Sequence, residues 1–443
     1  MTNDRLEAFK SAFQNLQLMP LVTSESLDRF RVEYGGEVLE ELIQLVEDCS
    51  PNNNKIIFTG HRGSGKSTLL GQFCREMQDD YFVVFFSISD LIEMSDVNHV
   101  NILFAMAVKL MEEAETQEVK ISSKIKEAFY LWFSKHTKTE SAETIAKIIE
   151  ESGGEVKADA WFVKFFTKLK ATLQANAVIR EEIKTEFSRR ISDLIDRIND
   201  IATAIQAASE KEILVVIDDL DKLDLEIVDR VYRNNIRPLF QPQFRIIYTI
   251  PMAATRDMSL KGIIDNATPN PMQSMWATKF FPRGDDRNPS VLPFEGAVKI
   301  FEKILYKRLS PDLIEPEVTR MLILKSGGAL RELIRLASRC CGICSRKMRQ
   351  MPENQALQIT DGILQKAVTD LRIEFTEPLG QNAYEVLSEV YRNYSPLDGM
   401  DQTFLDLLHN LYILEYRNDD LWFGIHPIVQ DLLYRRGLTQ MEE

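Results

Sequence analysis

Residues Gly60 to Thr68 read Gly-His-Arg-Gly-Ser-Gly-Lys-Ser-Thr, a spacing of glycines before Lys-Ser-Thr that suits a phosphate chain. Glycines let successive backbone N–H groups turn inward around an anion, and a helix starting at the end of the loop adds the positive end of its dipole. Lys66 supplies a full charge for the outer phosphates, and the Ser67 hydroxyl is an oxygen donor for the magnesium ion that bridges them. Gly60, His61, Arg62, Gly63, Ser64, Gly65, Lys66, Ser67 and Thr68 are therefore the candidate nucleotide-binding residues, Ser64 and Thr68 as lesser contacts.

A second group of oxygen donors follows the apolar run Ile213 to Ile217, which ends in Asp218-Asp219-Leu220-Asp221. A buried strand delivers terminal acids to the carboxyl edge of its sheet, where α/β folds bind ligands. Asp218 is placed to hold magnesium through a water together with Ser67, Asp219 to take a proton from an attacking water or orient it, and Asp221 to fix the following loop. Thr249 ends the next apolar strand and offers a hydroxyl to the attacking water or the γ-phosphate, although ordinary β-propensity explains a threonine there equally well. Arg331 opens a helix after Gly327-Gly328, where a permanent cation contacting the γ-phosphate makes its domain's orientation depend on triphosphate versus diphosphate. Arg256, Arg283 and Arg287 occupy positions from which a cation could reach a neighbouring subunit, with surface solvation the favoured reading of each.

These groups need a framework. Ile56 to Thr59 reads as a strand, Leu69 to Met77 as a helix, and Tyr81 to Ile88 as a strand buried on both faces. Ile213 to Ile217, Phe244 to Ile250 and Thr278 to Phe281 complete a mostly parallel sheet. From about 92 to 210 amphipathic helical segments take over, among them the stripe Ile179, Ile183, Phe187, Ile191, Leu194, Ile198, Ile201 and Ile205. Packing within the chain is favoured over a partner-facing coiled coil for that stripe. Polar residues 137–151 and Gly153-Gly154 read as connections inside this helical insertion.

Residues 1–50 read as helical before the turn-like Ser50-Pro51-Asn52-Asn53-Asn54. Beyond Pro293-Phe294, Ala297 to Leu309, Glu317 to Lys325 and Leu330 to Arg346 form a helical lid. Helices around Ala383 to Tyr391 and Phe404 to Leu411 then precede strands Tyr412 to Tyr416 and Leu421 to Ile425, joined through Arg417-Asn418-Asp419-Asp420; helices followed by a hairpin describe a winged helix. The predicted fold class is α/β, a P-loop parallel sheet with a long helical insertion, then an α-helical lid and a C-terminal winged helix. The predicted domains are an N-terminal helical segment (1–50), the core (51–292, insertion about 92–210), the lid (293–373) and the winged helix (374–443).

Over 443 residues, 44% hydrophobic and 27% charged content is ordinary soluble composition. No apolar run approaches the roughly 20 residues of a membrane span, and Met-Thr-Asn-Asp-Arg-Leu-Glu lacks the layout of a signal peptide. A cytoplasmic location and no membrane partner are expected. Five cysteines in that setting argue against a disulfide framework, and Cys340, Cys341 and Cys344 read as small buried helix residues rather than a redox or zinc pair. Net charge −14 disfavours nucleic acid and anionic membrane. Residues 374–443 sharpen this, with 13 Asp or Glu against 4 Arg and no Lys, a surface that repels phosphates. Lys184, Arg189 and Arg190 on the insertion are the alternative DNA contact, with a solvated helix face preferred.

Taken together, the motifs resemble the STAND and KAP-like branch of P-loop NTPases, with a layout shared by the origin-recognition and Cdc6-like AAA+ proteins. Gly60 to Thr68 matches Walker A, Ile213 to Asp221 the Asp-Asp-Leu-Asp form of Walker B, Thr249 sensor 1, and Gly328-x-x-Arg331 sensor 2. The resemblance implies ATP and Mg2+ as cofactors, an ATPase with Lys66, Asp219, Thr249 and Arg331 as catalytic residues, and Ser67 and Asp218 at the metal. It implies a regulatory switch that alternates between ATP and ADP and engages a protein partner or copies of itself, and it allows a role in bacterial signalling or antiphage defence. KAP-like members commonly carry membrane helices between the Walker motifs; this insertion is not apolar enough, so membrane attachment does not transfer. Two alternatives are a DNA-associated ATPase similar to replication initiators or transposition regulators, which the acidic winged helix disfavours, and a non-hydrolysing scaffold, which the intact Lys66, Ser67, Asp218 and Asp219 set disfavours.

Overall fold

The computed structural model describes residues 2–49, 54–136, 167, 169–171, 174–288, 290–350, 357–397, 399–418 and 420–439. The polar stretch 137–151, Gly153-Gly154, most of the Ser50 to Asn54 turn, Asp419 and the Ile179 side chain lie outside the described residues. Helices α1 (Thr2–Asn15), α2 (Ser24–Phe30) and α3 (Gly36–Asp48) precede β1 (Lys55–Gly60), α4 (Lys66–Met77) and β2 (Tyr81–Ser87). The described helices of the insertion include α5 (His99–Thr116), α6 (Ser123–His136), α7 (Ala177–Ser188) and α8 (Ile191–Ser209). Strand β3 (Glu212–Asp218) follows, then α9 (Leu225–Val228), which runs through a π-helical turn at Asp229–Arg233 into α10 (Asn234–Phe240). Strand β4 (Arg245–Pro251), α11 (Met258–Ala267) and the short β5 (Gln273–Met275) close the α/β part. Helices α12 (Glu295–Tyr306), α13 (Pro316–Lys325), α14 (Leu330–Met348) and α15 (Asp361–Thr376) come next. Last are α16 (Gln381–Asn393), α17 (Gln402–His409), β6 (Ile413–Asn418), β7 (Asp420–Ile425) and α18 (Pro427–Arg435).

The five-stranded sheet runs in the order β2-β3-β4-β1-β5. Strands β2 and β3 pair in parallel from Tyr81 opposite Glu212 to Ser87 opposite Asp218, and β3 pairs with β4 from Leu214 opposite Arg245 to Ile217 opposite Tyr248. Residues 213–218 of β3 and all of β4 are buried, as their continuous apolar content demands when helices cover both faces. The register carries Ser87, the polar end of β2, to the acidic end of β3.

The strand expected at Thr278 to Phe281 does not form; the fifth strand is Gln273–Met275. The apolar character of the predicted segment is used differently. Phe280 packs edge-on against Phe301 of α12 with centroids 5.1 Å apart, and its carbonyl accepts the Phe294 N–H at 2.7 Å.

The chain divides into two compact units. One comprises residues 40–59 and 73–273. Its core joins sheet residues such as Ile57, Phe86, Val215 and Ile246 to α5 and α8 in one cluster. Every residue from Val100 to Val108 is buried, so the N-terminal half of α5 is enclosed on all sides and the insertion shares the core of the sheet rather than standing apart. The predicted stripe breaks at Arg189-Arg190 into α7 and α8, and its members Ile183, Phe187, Leu194, Ile198, Ile201 and Ile205 are buried within the chain. Phe187 sits against Phe104 and Trp132, with centroids 4.9 and 4.8 Å away.

The other unit comprises residues 1–39, 60–72 and 274–443, and in it α1 packs against α14. Cys340, Cys341 and Cys344 lie free and buried in α14, and burial pushes the Cys341 and Cys344 thiols up to about 12, so both are neutral, small packing groups of the helix. The β6–β7 hairpin pairs Ile413 with Ile425 and Asn418 with Asp420, so Arg417, Asn418 and Asp420 of the expected turn belong to the paired strands. Tyr416 and Trp422 stack across it at 4.5 Å. Among the described residues no helix is long and apolar enough to cross a membrane.

His426 caps α18: its Nδ1 accepts the Ile428 N–H at 3.2 Å, and its ring lies 5.1 Å from Phe375. Burial, with Arg335 and Lys325 adding like charge, pushes its pKa down to about 3. The unfolded chain therefore binds a proton that the fold refuses, so this contribution is complete above the ordinary histidine pKa and is lost as pH falls from about 6.5 toward about 3. His426→Asn keeps an acceptor for the cap and removes the titration. Thermal unfolding followed against pH should show a shallower acid decline for the variant than for the wild type; equal slopes would remove His426 as the source.

Candidate phosphate-binding site

Strand β1 ends at Gly60 and α4 begins at Lys66, so residues 61–65 form the whole connection between strand and helix. Its backbone needs glycine. Gly63 has φ +81°, and a Cβ there would lie 2.3 Å from Cβ of Arg331; Gly60 has φ +151°, and a Cβ there would lie 2.2 Å from the Met275 carbonyl oxygen. Lys66 is buried, and its Nζ donates to the carbonyls of Gly60 at 2.9 Å and His61 at 2.7 Å. The twelve-residue α4 opens with Lys66-Ser67-Thr68, so the N–H groups of its first turn add to the positive end of the loop.

Three contacts hold this loop from outside. The Arg331 N–H donates to the Gly63 carbonyl at 3.0 Å, which sets the start of α14 directly on the loop. The buried His61 imidazole accepts the Glu415 N–H of β6 at Nε2, 2.6 Å away. Thr68 Oγ1 accepts the Leu21 N–H at 3.0 Å, so this hydroxyl serves the N-terminal segment. Burial lowers the Arg331 pKa and the nearby Arg62 cation lowers it further, with Glu332 opposing. Two guanidiniums that repel each other beside a glycine loop fit a polyanion, whose charge would relieve both.

In the other unit, Asp218, Asp219 and Asp221 are buried and offer carboxylate oxygens within 4.8 Å of one another. Asp219 takes φ +69°, a left-handed conformation unusual for a side-chain-bearing residue. Its Oδ2 accepts Ser87 Oγ at 2.7 Å and Ser89 Oγ at 3.1 Å, and its Oδ1 pairs with Lys222. Burial opposes ionisation, but Lys222, Ser87 and Ser89 outweigh it and hold the carboxyl below its usual range. Asp218 lies close enough to Cys74 of α4 for its charge, after burial, to raise that thiol. Three hard oxygen donors with adjacent negative charge suit a divalent cation such as Mg2+.

Thr249 is fully buried; its Oγ1 donates to the Ile217 carbonyl at 3.1 Å and accepts the Leu220 N–H at 3.0 Å. Tyr232 donates to the Thr249 carbonyl at 3.1 Å. The hydroxyl thus clamps the two sides of Asp218-Asp219, a role apart from the expected contact with water or phosphate. The structure brings Gly60 to Thr68 together with Arg331, and Asp218, Asp219 and Asp221 together with Thr249.

Other sequence candidates are engaged elsewhere. Arg287 stacks 3.5 Å over the Tyr391 ring and 4.5 Å over Tyr394, a π contact in place of the expected plain solvation, whereas Arg283 is exposed with its guanidinium 6.0 Å from the Tyr394 ring. Arg256 sits in a short 3-10 turn. Lys184 pairs with Glu181 at 2.9 Å and Arg190 with Glu186 at 3.5 Å, as on a solvated helix face. Ser87, Ser89, Lys222 and the His61–Glu415 contact escaped sequence reading. The polar string Ser87-Ile88-Ser89-Asp90 directly after an apolar strand was the available signal for the serines.

Residues 37–248 match the family model described as the KAP family P-loop domain. Among solved structures, Cdc6p from Pyrobaculum aerophilum is similar with 12% identity, a TM-score of 0.38, and coverage of 96% of this chain and 98% of that one. The Aeropyrum pernix Orc1 protein in complex with DNA is similar with 12% identity and a TM-score of 0.38, covering 94% of this chain and 86% of that one. Likenesses at that level carry no functional weight. No curated protein matches the chain. The glycine loop and the Asp218-Asp219 turn both fall inside the matched segment, and residues 37–248 are a KAP-like P-loop NTPase domain.

Proposed function

We propose that the chain is an ATP-hydrolysing regulatory switch of the STAND type, in which Mg–ATP and Mg–ADP stabilise different arrangements or assemblies of core, lid and winged helix. The observation that carries this reading is the complete donor set within and around a KAP-like P-loop domain: Lys66 under a glycine loop, and three buried acids at the end of β3. Lys66 would turn its ammonium to the outer phosphates, and Ser67 and Asp218 would hold the magnesium ion. Bound magnesium supplies charge compensation for the phosphates.

Asp219 orients the attacking water and accepts its proton, with its aim fixed by Ser87, Ser89 and Lys222. Thr249 acts on the same step by holding the Asp218-Asp219 turn. Arg331 reads the γ-phosphate, and its backbone bond to Gly63 passes that reading to α14. Lid (293–373) and winged helix (374–443) are the moving parts in this account. The acidic C-terminal residues favour a protein partner or self-assembly over DNA, and the site of action is the cytoplasm.

Asp219→Asn should retain Mg–ATP binding while steady-state phosphate release falls by at least about 100-fold. Unchanged turnover would end the proposed role. Because its partners hold the Asp219 carboxyl low, wild-type turnover should stay level from about pH 8 to about pH 5 and decline only below the ordinary carboxylate range. A step in the rate profile near neutrality that disappears in Asp219→Asn would contradict that assignment.

A further inference from the structure

Residue 61 makes two connections at once. Its imidazole Nε2 accepts the Glu415 N–H at 2.6 Å, so that nitrogen carries no proton, and its carbonyl accepts Lys66 Nζ at 2.7 Å and the Ser64 N–H at 3.1 Å. Both His61 and Glu415 are buried. The neighbours of Glu415 on β6 reach the turn before Arg331: Tyr416 donates its hydroxyl to the Gly327 carbonyl at 2.8 Å, and Leu414 fills the space a Cβ on Gly327 would need, 2.7 Å away. Three consecutive residues of one strand therefore grip the loop and the turn that leads into α14.

We propose that His61 is a positioning residue that couples phosphate occupancy of the loop to the β6–β7 hairpin. The inference rests on the reading of Gly60 to Thr68 as a nucleotide site. A phosphate that draws on the Lys66 ammonium competes with the carbonyls of Gly60 and His61 for the same donor, and charge-assisted bonds are the strong ones in such an exchange. Release of the His61 carbonyl frees its peptide to turn and carries the imidazole with it. The Glu415 N–H then loses its acceptor in a buried setting, where an unpaired donor is costly, so the hairpin shifts toward an arrangement in which that N–H is solvated. Nucleotide binding at one end of the chain thereby loosens a strand 354 residues away in sequence.

The test is amide hydrogen exchange of residues 411–418 in the full chain, with and without Mg–ADP or a Mg-bound non-hydrolysable ATP analogue. Each protein is held at saturation as judged by its own calorimetric titration. In the wild type, nucleotide should speed exchange of the Glu415 amide about tenfold, the size expected for loss of one modest hydrogen bond. His61→Gln, which keeps an acceptor near the position of Nε2, should respond in the same direction. His61→Leu should exchange fast with or without nucleotide. Wild-type protein that binds nucleotide with no change at Glu415, or His61→Leu that keeps the slow amide, would overturn the coupling and leave the nucleotide reading standing. Absence of nucleotide binding in the wild type would overturn both. If His61→Leu does not fold, the wild-type and His61→Gln arms still decide.

Discussion

A five-residue connection between β1 and α4 that is to cradle a phosphate must keep its N–H groups turned inward, and this constraint governs the rest of the candidate site. From inside, the Lys66 ammonium binds the carbonyls of Gly60 and His61. From outside, the Arg331 N–H holds the Gly63 carbonyl and the Glu415 N–H holds the His61 imidazole. The loop is thus tied to α14 by a backbone-to-backbone bond and to β6 through the His61 side chain. A Cβ at Gly63 would run into Arg331, so the same contact that orders the loop also dictates its composition.

The acids at the end of β3 are governed by a different balance. Burial alone would favour the protonated form of Asp219. For Asp219 the opposing donors Ser87, Ser89 and Lys222 win, and the left-handed backbone at that residue persists because Thr249 spans the turn from Ile217 to Leu220. A carboxylate fixed in charge and direction is what a water-orienting group requires, and the strain of its backbone is repaid by that surrounding frame.

Sequence alone revealed the parts whose signal is local. The glycine spacing before Lys66, the five-residue apolar run before Asp218 and the helix-then-hairpin order of the C-terminal residues each fit within a short window. Thr278 to Phe281 misled because an aromatic pair seeking burial looks alike whether a sheet or a helix such as α12 receives it. Ile183, Phe187, Leu194, Ile198, Ile201 and Ile205 of the predicted stripe are core, but Arg189-Arg190 divides it into two helices. Ser87 meets Asp219 across 132 residues and His61 meets Glu415 across 354, contacts set by strand register and tertiary packing rather than by periodicity. The partners of the Thr249 hydroxyl, Ile217 and Leu220, are likewise set by strand pairing and not by any short window of sequence.

One titration bears most directly on the account, which holds that Lys66, Ser67 and Asp218 act on a single metal-bound triphosphate. Calorimetry with ATP in the presence and absence of Mg2+ should give saturable, magnesium-dependent heat for the wild type, no saturable binding for Lys66→Ala, and loss of the magnesium dependence for Asp218→Asn. Heat that is absent from the wild type, or that survives unchanged in Lys66→Ala, would contradict it.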